Sequence, residues 1–156
     1  MKLHLGVVDV PEPLGGTTGS VGTQLEENYG LFSAFYEHEK DEITHLIEED
    51  VDLAIQSLIS GGGLSKNVFG DSTSEIDHLF KTFLSTQEAE RVLAPGVNGL
   101  PVPTKAALEG KSLRLKGGRR LRKVKKGQEY ETAYGNRRPS FIDSGVFEAS
   151  FKSWVE

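Results

Sequence analysis

At 156 residues, with 37% hydrophobic residues, 18 glycines and no cysteine, the chain is long enough for one domain with a real core but sparing in apolar residues. The absence of cysteine excludes a disulfide framework and any thiolate metal site. The net charge of −5 conceals a split: residues 1–100 carry 5 Lys/Arg against 17 Asp/Glu, and residues 101–156 carry 13 against 6. Such asymmetry favours oriented, head-to-tail contacts between copies or contacts with other charged partners. The alternative is two halves that fold together and partly neutralise each other.

The opening MKLHLGVVDV does not read as a signal peptide, because its apolar run is short and Asp9 interrupts it. No stretch approaches the roughly 18–20 apolar residues of a membrane span. The expectation is a soluble protein made in the cytosol. Residues 2–10 alternate weakly and are rich in Val and Leu, so a strand is predicted over 1–10, stopped by Pro11 and Pro13. LGGTTGSVG, residues 14–22, follows as a flexible loop.

From Thr23 the spacing turns helical. Thr23 and Glu26 stand at capping-box distance. Leu25, Tyr29, Phe32, Tyr36, Ile43, Ile47, Val51, Ala54 and Leu58 follow in steps of three and four, with a gap at Glu39 and Lys40 that marks a possible break. A long helix is predicted over 23–60, stopped by Gly61-Gly62-Gly63. A second helix is predicted over 72–93, with Ser72 and Glu75 as its capping box and Ile76, Leu79, Phe80, Phe83 and Leu84 on one face. Residues 94–140 carry Gly, Pro and basic residues with little periodicity, and read as an extended basic loop region that is functional or disordered. Residues 141–156 read as a C-terminal turn and strand. The whole predicts a single α+β domain: a long helix packed on a small, mostly antiparallel sheet, with a long Gly/Lys/Arg-rich loop.

Candidate chemistry is thin. GGTTGSVG before a helix resembles a phosphate cradle, but a P-loop needs Lys and Ser/Thr after its last glycine, and here Gly22 precedes Thr23-Gln24. HEKDEITH, 38–45, spaces its histidines seven apart rather than four, so it is no zincin motif. His38, Glu42 and His45 can share a helical face and could hold a metal, but the surroundings are heavily acidic and a solvated helix face explains them. The four histidines, His4, His38, His45 and His78, sit in no nucleophile motif. No catalytic residue, cofactor or metal is therefore assigned, and a non-enzymatic protein is expected. KSLRLKGGRRLRKVKKGQ, 111–128, holds nine basic residues and no acidic one. That density suits nucleic-acid phosphates, but no aromatic residue is present for base stacking.

The final stretch is the most specific. RRPSFIDSGVFEASFKSW, 137–154, places Asp143-Ser144-Gly145 before an apolar residue, after Arg138-Pro139-Ser140-Phe141-Ile142. Asp143 or Ser144 can cap a following turn, and Gly145 permits tight backbone geometry. Phe147, Phe151 and Trp154 then point into a core or into a partner groove. The segment resembles the Asp-Thr/Ser-Gly-Leu…Ser signature of tailed-bacteriophage virion morphogenesis and tail-completion proteins. GLPVPTKAALEGKSLRLKGG, 99–118, is similar to the Pro-Thr-x-x-Ala segment of small phage tail proteins.

The resemblance implies a helical turn followed by a closing strand, an α+β fold, and a multi-copy structural protein of the virion tail. The place implied is a neck completion or terminator ring, or a baseplate- or tube-associated component. The expected partners are further copies and neighbouring tail proteins. Arg119, Arg120, Arg122, Lys123, Lys125 and Lys126 would meet Glu48, Glu49, Asp50 and Asp52 of the next copy, with Asp143, Gly145, Phe147, Phe151 and Trp154 as further contact residues. The rival reading is a nucleic-acid-binding module using 111–128.

Overall fold

The computed structural model describes residues 1–12, 16–94, 96–108 and 137–156. The fold is α+β, mostly helical, with a two-stranded antiparallel sheet made from the two ends of the chain. Strand β1 (Leu3–Val7) pairs with β4 (Phe151–Val155), with Leu3 opposite Val155 and Val7 opposite Phe151. The pairing continues past both strands, from Lys2 and Glu156, which exchange backbone hydrogen bonds at 2.6 and 2.9 Å, to Val8 N–H donating to Ser150 O at 2.8 Å.

Helix α1 (Thr18–Tyr29) starts five residues earlier than predicted. Its N-cap is Thr17, which forms a capping box with Ser20. The segment read as a flexible loop thus becomes helix from Thr18 onward. Gly22 packs there so closely that a Cβ would lie 3.2 Å from Val7 Cγ2.

The long helix is two helices. Gly30 adopts φ +64°, closes α1 by donating from its N–H to Glu26 O, and opens α2 (Leu31–Ile59). Glu26, expected to serve the start of its own helix, caps the next one: its carboxylate accepts from Phe32 N–H at 2.7 Å and from the Ser33 hydroxyl. The chain runs straight through Glu39 and Lys40, so the gap in the apolar spacing marks no break. The restart at Gly30 also resets the helical phase. Leu31, Phe35 and Ile43 are buried, whereas Tyr36 and Leu58 are exposed.

Helix α3 (Gly70–Ser85) carries the predicted apolar face, with Ile76, Phe80, Phe83 and Leu84 buried. It begins two residues before Ser72, and its cap comes from another helix: Asp50 Oδ2 of α2 accepts from Ser72 N–H at 3.0 Å. It stops at Ser85. Gln87, at φ +63°, separates it from α4 (Glu88–Leu93). Residues 96–108, expected to be loop, form a small hairpin, β2 (Gly96–Val97) with β3 (Leu100–Pro101), and one turn of helix, α5 (Lys105–Leu108). Helix α6 (Val146–Ser150) leads directly into β4.

The core is aromatic. Phe80 of α3 stacks on Phe151 of β4 at 3.9 Å and 15°, and Phe35 meets Phe80 edge-on at 5.1 Å. Phe32 stacks on both Phe80 and Phe151, at 5.7 and 6.1 Å. Each such pair contributes about 0.5–1.5 kcal/mol beyond the area it buries. Two helices and the closing strand therefore share one cluster that includes Phe151, the sixth residue from the end of the sequence.

Candidate functional site

The described residues of the two resembling segments, 99–108 and 137–154, are bonded to each other. The sharp turn at 137–145 is held by side chains from distant elements. Glu90 of α4, 5% exposed, accepts from Ser140 N–H at 2.7 Å and pairs with Arg137. Ser140, itself buried, accepts at its Oγ from Thr104 N–H at 3.1 Å. Arg138 N–H donates to Ala107 O at 3.2 Å. The Pro-Thr-x-x-Ala segment, Pro103 to Ala107, and the Arg-Pro-Ser-Phe segment are thus bonded to each other. Thr104 Oγ1 also accepts from Ala107 N–H, capping α5.

Inside the turn, Arg138 reaches Asp143 at 3.1 Å and also donates to the Ile142 carbonyl. Phe141, at φ +71°, sets its ring edge-on to Tyr29 at 5.1 Å. Ser144 donates its hydroxyl to the buried Glu12 at 2.8 Å and accepts from Val146 N–H at 3.3 Å. Gly145, at φ +79°, is the N-cap of α6. Of the two candidate caps, Ser144 thus touches the new helix, while Asp143 is engaged by Arg138.

Beyond the turn, Asp77 of α3 secures the closing strand. One carboxylate accepts from Ser153 N–H at 2.7 Å, from Ser153 Oγ at 3.0 Å and from Lys152 Nζ at 2.6 Å. Three buried carboxylates, Glu12, Asp77 and Glu90, therefore each bind a different part of the last twenty residues. The sequence reading assigned none of them a role. Their bonds to this segment span 47 to 132 positions, beyond the reach of local sequence spacing.

The expected contact residues divide. Phe147 and Phe151 are buried in the chain's own core, which corrects their assignment to an interface, because a ring enclosed by Phe32 and Phe80 has no surface to offer. Trp154 is 44% exposed and stacks on His4 at 5.2 Å and 7°. Asp50, expected to face a neighbouring copy, is buried as the cap of α3. Glu48, Glu49 and Asp52 are exposed. Arg119, Arg120, Arg122, Lys123, Lys125 and Lys126 lie outside the described residues, as does the whole 111–128 segment.

The histidine pair on α2 does not converge. His38 lies 3.1 Å from Glu39 and 3.7 Å from Glu88, and His45 lies 3.6 Å from Glu49. Among the described residues no trio of His, Asp or Glu is placed to hold a metal ion, and no helix is long and apolar enough to cross a membrane. No family model, curated protein or solved structure matches the chain.

Proposed function

We propose that the protein is a non-enzymatic structural component of a tailed-phage virion, present in several copies in the tail, as a neck completion or terminator protein or as a baseplate- or tube-associated one. The observation that carries this reading is the bonded pair of segments 103–107 and 137–145. The two stretches that separately resemble phage tail proteins belong to a single knot, as expected if they are signatures of one fold rather than chance matches.

Protein mass spectrometry and immunogold labelling of purified particles test the reading. Label confined to one end of the tail supports it and separates neck from baseplate. Absence from intact particles overturns it, and brings forward nucleic-acid binding by residues 111–128. That rival predicts DNA affinity falling steeply with added salt.

A further inference from the structure

The second half of α2 and the first turns of α3 enclose a groove of about 450 Å³. Leu46 and Leu53 line it with the carboxylates of Glu49, Asp52, Asp71 and Glu75. All four of these carboxylates are exposed. A second hollow of about 320 Å³, lined by Leu64 among others, shares Asp50, Leu53 and Asp71 with the first. Around them, apolar side chains face solvent: Leu53 is 61% exposed and Ile59 82%, with Ile55, Leu58 and Leu64 at about half. An apolar floor edged by one sign of charge fits a partner that is basic and apolar by turns.

The chain itself contains such a sequence. Residues 111–126, KSLRLKGGRRLRKVKK, carry nine Lys/Arg and no acidic residue, with Leu113, Leu115, Leu121 and Val124 set among them. We infer that the α2/α3 groove is the docking site for the 111–126 segment of a second copy. This deepens the multi-copy reading above and rests on it for the existence of that copy.

The segment's two flanks are fixed far from the groove. Arg138 bonds Ala107, and Arg137 pairs with Glu90 of α4, which packs beside α2 where Glu88 approaches His38. From His38 to Leu53 the helix advances about 22 Å at 1.5 Å per residue. The described anchors of the segment, Ala107 and Arg138, thus lie toward the opposite end of α2 from the groove. A segment and groove so placed make a heterologous, head-to-tail contact, which closes into a ring or runs on as a filament.

The test uses the full chain and two charge reversals. Glu49→Lys/Glu75→Lys spoils the groove and keeps the segment; Arg119→Glu/Arg120→Glu spoils the segment and keeps the groove. In sedimentation experiments at low salt, wild type is expected to self-associate, and each variant alone to associate at least tenfold more weakly. Mixed, the two variants are expected to form a one-to-one dimer and nothing larger, because only one compatible pair of surfaces remains. Leu53→Ser, which leaves all charges in place, is expected to weaken association with the melting temperature unchanged. A monomeric wild type, a mixture that stays monomeric, or a variant that assembles like wild type overturns the inference. Particle labelling is read separately, so a failed groove and a failed virion assignment are distinguishable.

Discussion

The two ends of this molecule use the same residue types in opposite ways. At the closed end, where β1, β4, α3 and α4 meet, carboxylates are buried and bonded, and phenylalanines are enclosed. Asp77, Glu90 and Glu12 are each less than a tenth exposed and each hold the C-terminal segment. At the far end of α2, carboxylates and aliphatic side chains both face solvent. A buried carboxylate must recover its lost hydration through hydrogen bonds, so its partners define one geometry. An exposed one is free to meet something else. The first end therefore specifies the fold, and the second leaves a surface.

Aromatic truncation gives the widest separation between the ends. Phe151→Ala removes a ring that touches Phe32, Phe35 and Phe80 and is expected to cost about 3–5 kcal/mol. Ile59→Ser, at the open end, is expected to change stability by less than about 0.5 kcal/mol. Chemical denaturation of both variants checks the contrast. Equal losses would mean that the far end of α2 is packed in solution and that the two ends are not different in kind.

A smaller effect is expected at Asp77. Asp77→Ala strips the acceptor from Ser153 N–H and Lys152 Nζ, while Ser153 Oγ keeps the Thr73 carbonyl at 2.9 Å. Leaving the backbone donor buried without an acceptor is expected to cost about 1–3 kcal/mol. Lys152→Ala, which removes only a half-exposed cation from the same carboxylate, is expected to cost under about 1 kcal/mol. If the two variants are equally destabilised, the ion pair rather than the backbone bond secures the strand. Hydrogen exchange at Ser153 separates these cases, since only the first predicts faster exchange confined to the Asp77 variant.

What the sequence made legible follows the same division. The apolar face of α3 and the strand at 3–7 are readable because their signals are local: spacing and a Val/Leu-rich run; the turn of helix before the closing strand comes from the resemblance rather than from spacing. The misreadings share a cause. Thr23-Glu26 and Ser72-Glu75 have the spacing of capping boxes, but Glu26 caps the following helix and Asp50 caps α3 from 22 positions away. Sequence spacing cannot report a cap supplied from another element. The predicted helix over 23–60 passes through Gly30, whose φ of +64° ends one helix and begins the next. The knot was half legible. Its two segments stood out as motifs, but Glu90, Glu12 and Asp77 carry no mark in sequence that tells a buried acceptor from a solvated acid.

The smallest effect concerns an acid that belongs to neither class. Asp9 is fully exposed, yet it tethers the segment after β1 to the start of α1. The Thr17 side chain and then the Gly19 N–H, bonded at 2.9 Å, hold its carboxyl below the usual carboxylate range. A folded-state pKa below the unfolded one means that the charged form is favoured in the fold. The stabilisation is thus complete above the unfolded value near 3.8, and it is lost as pH falls through the lower, folded value. Asp9→Asn should therefore melt below wild type at neutral pH, with the gap closing as both proteins are taken down through the lowered, folded value. A constant gap for Asp9→Asn across the whole range would mean that its side chain acts through shape rather than charge. The tether at the closed end would then differ from the open end in packing alone.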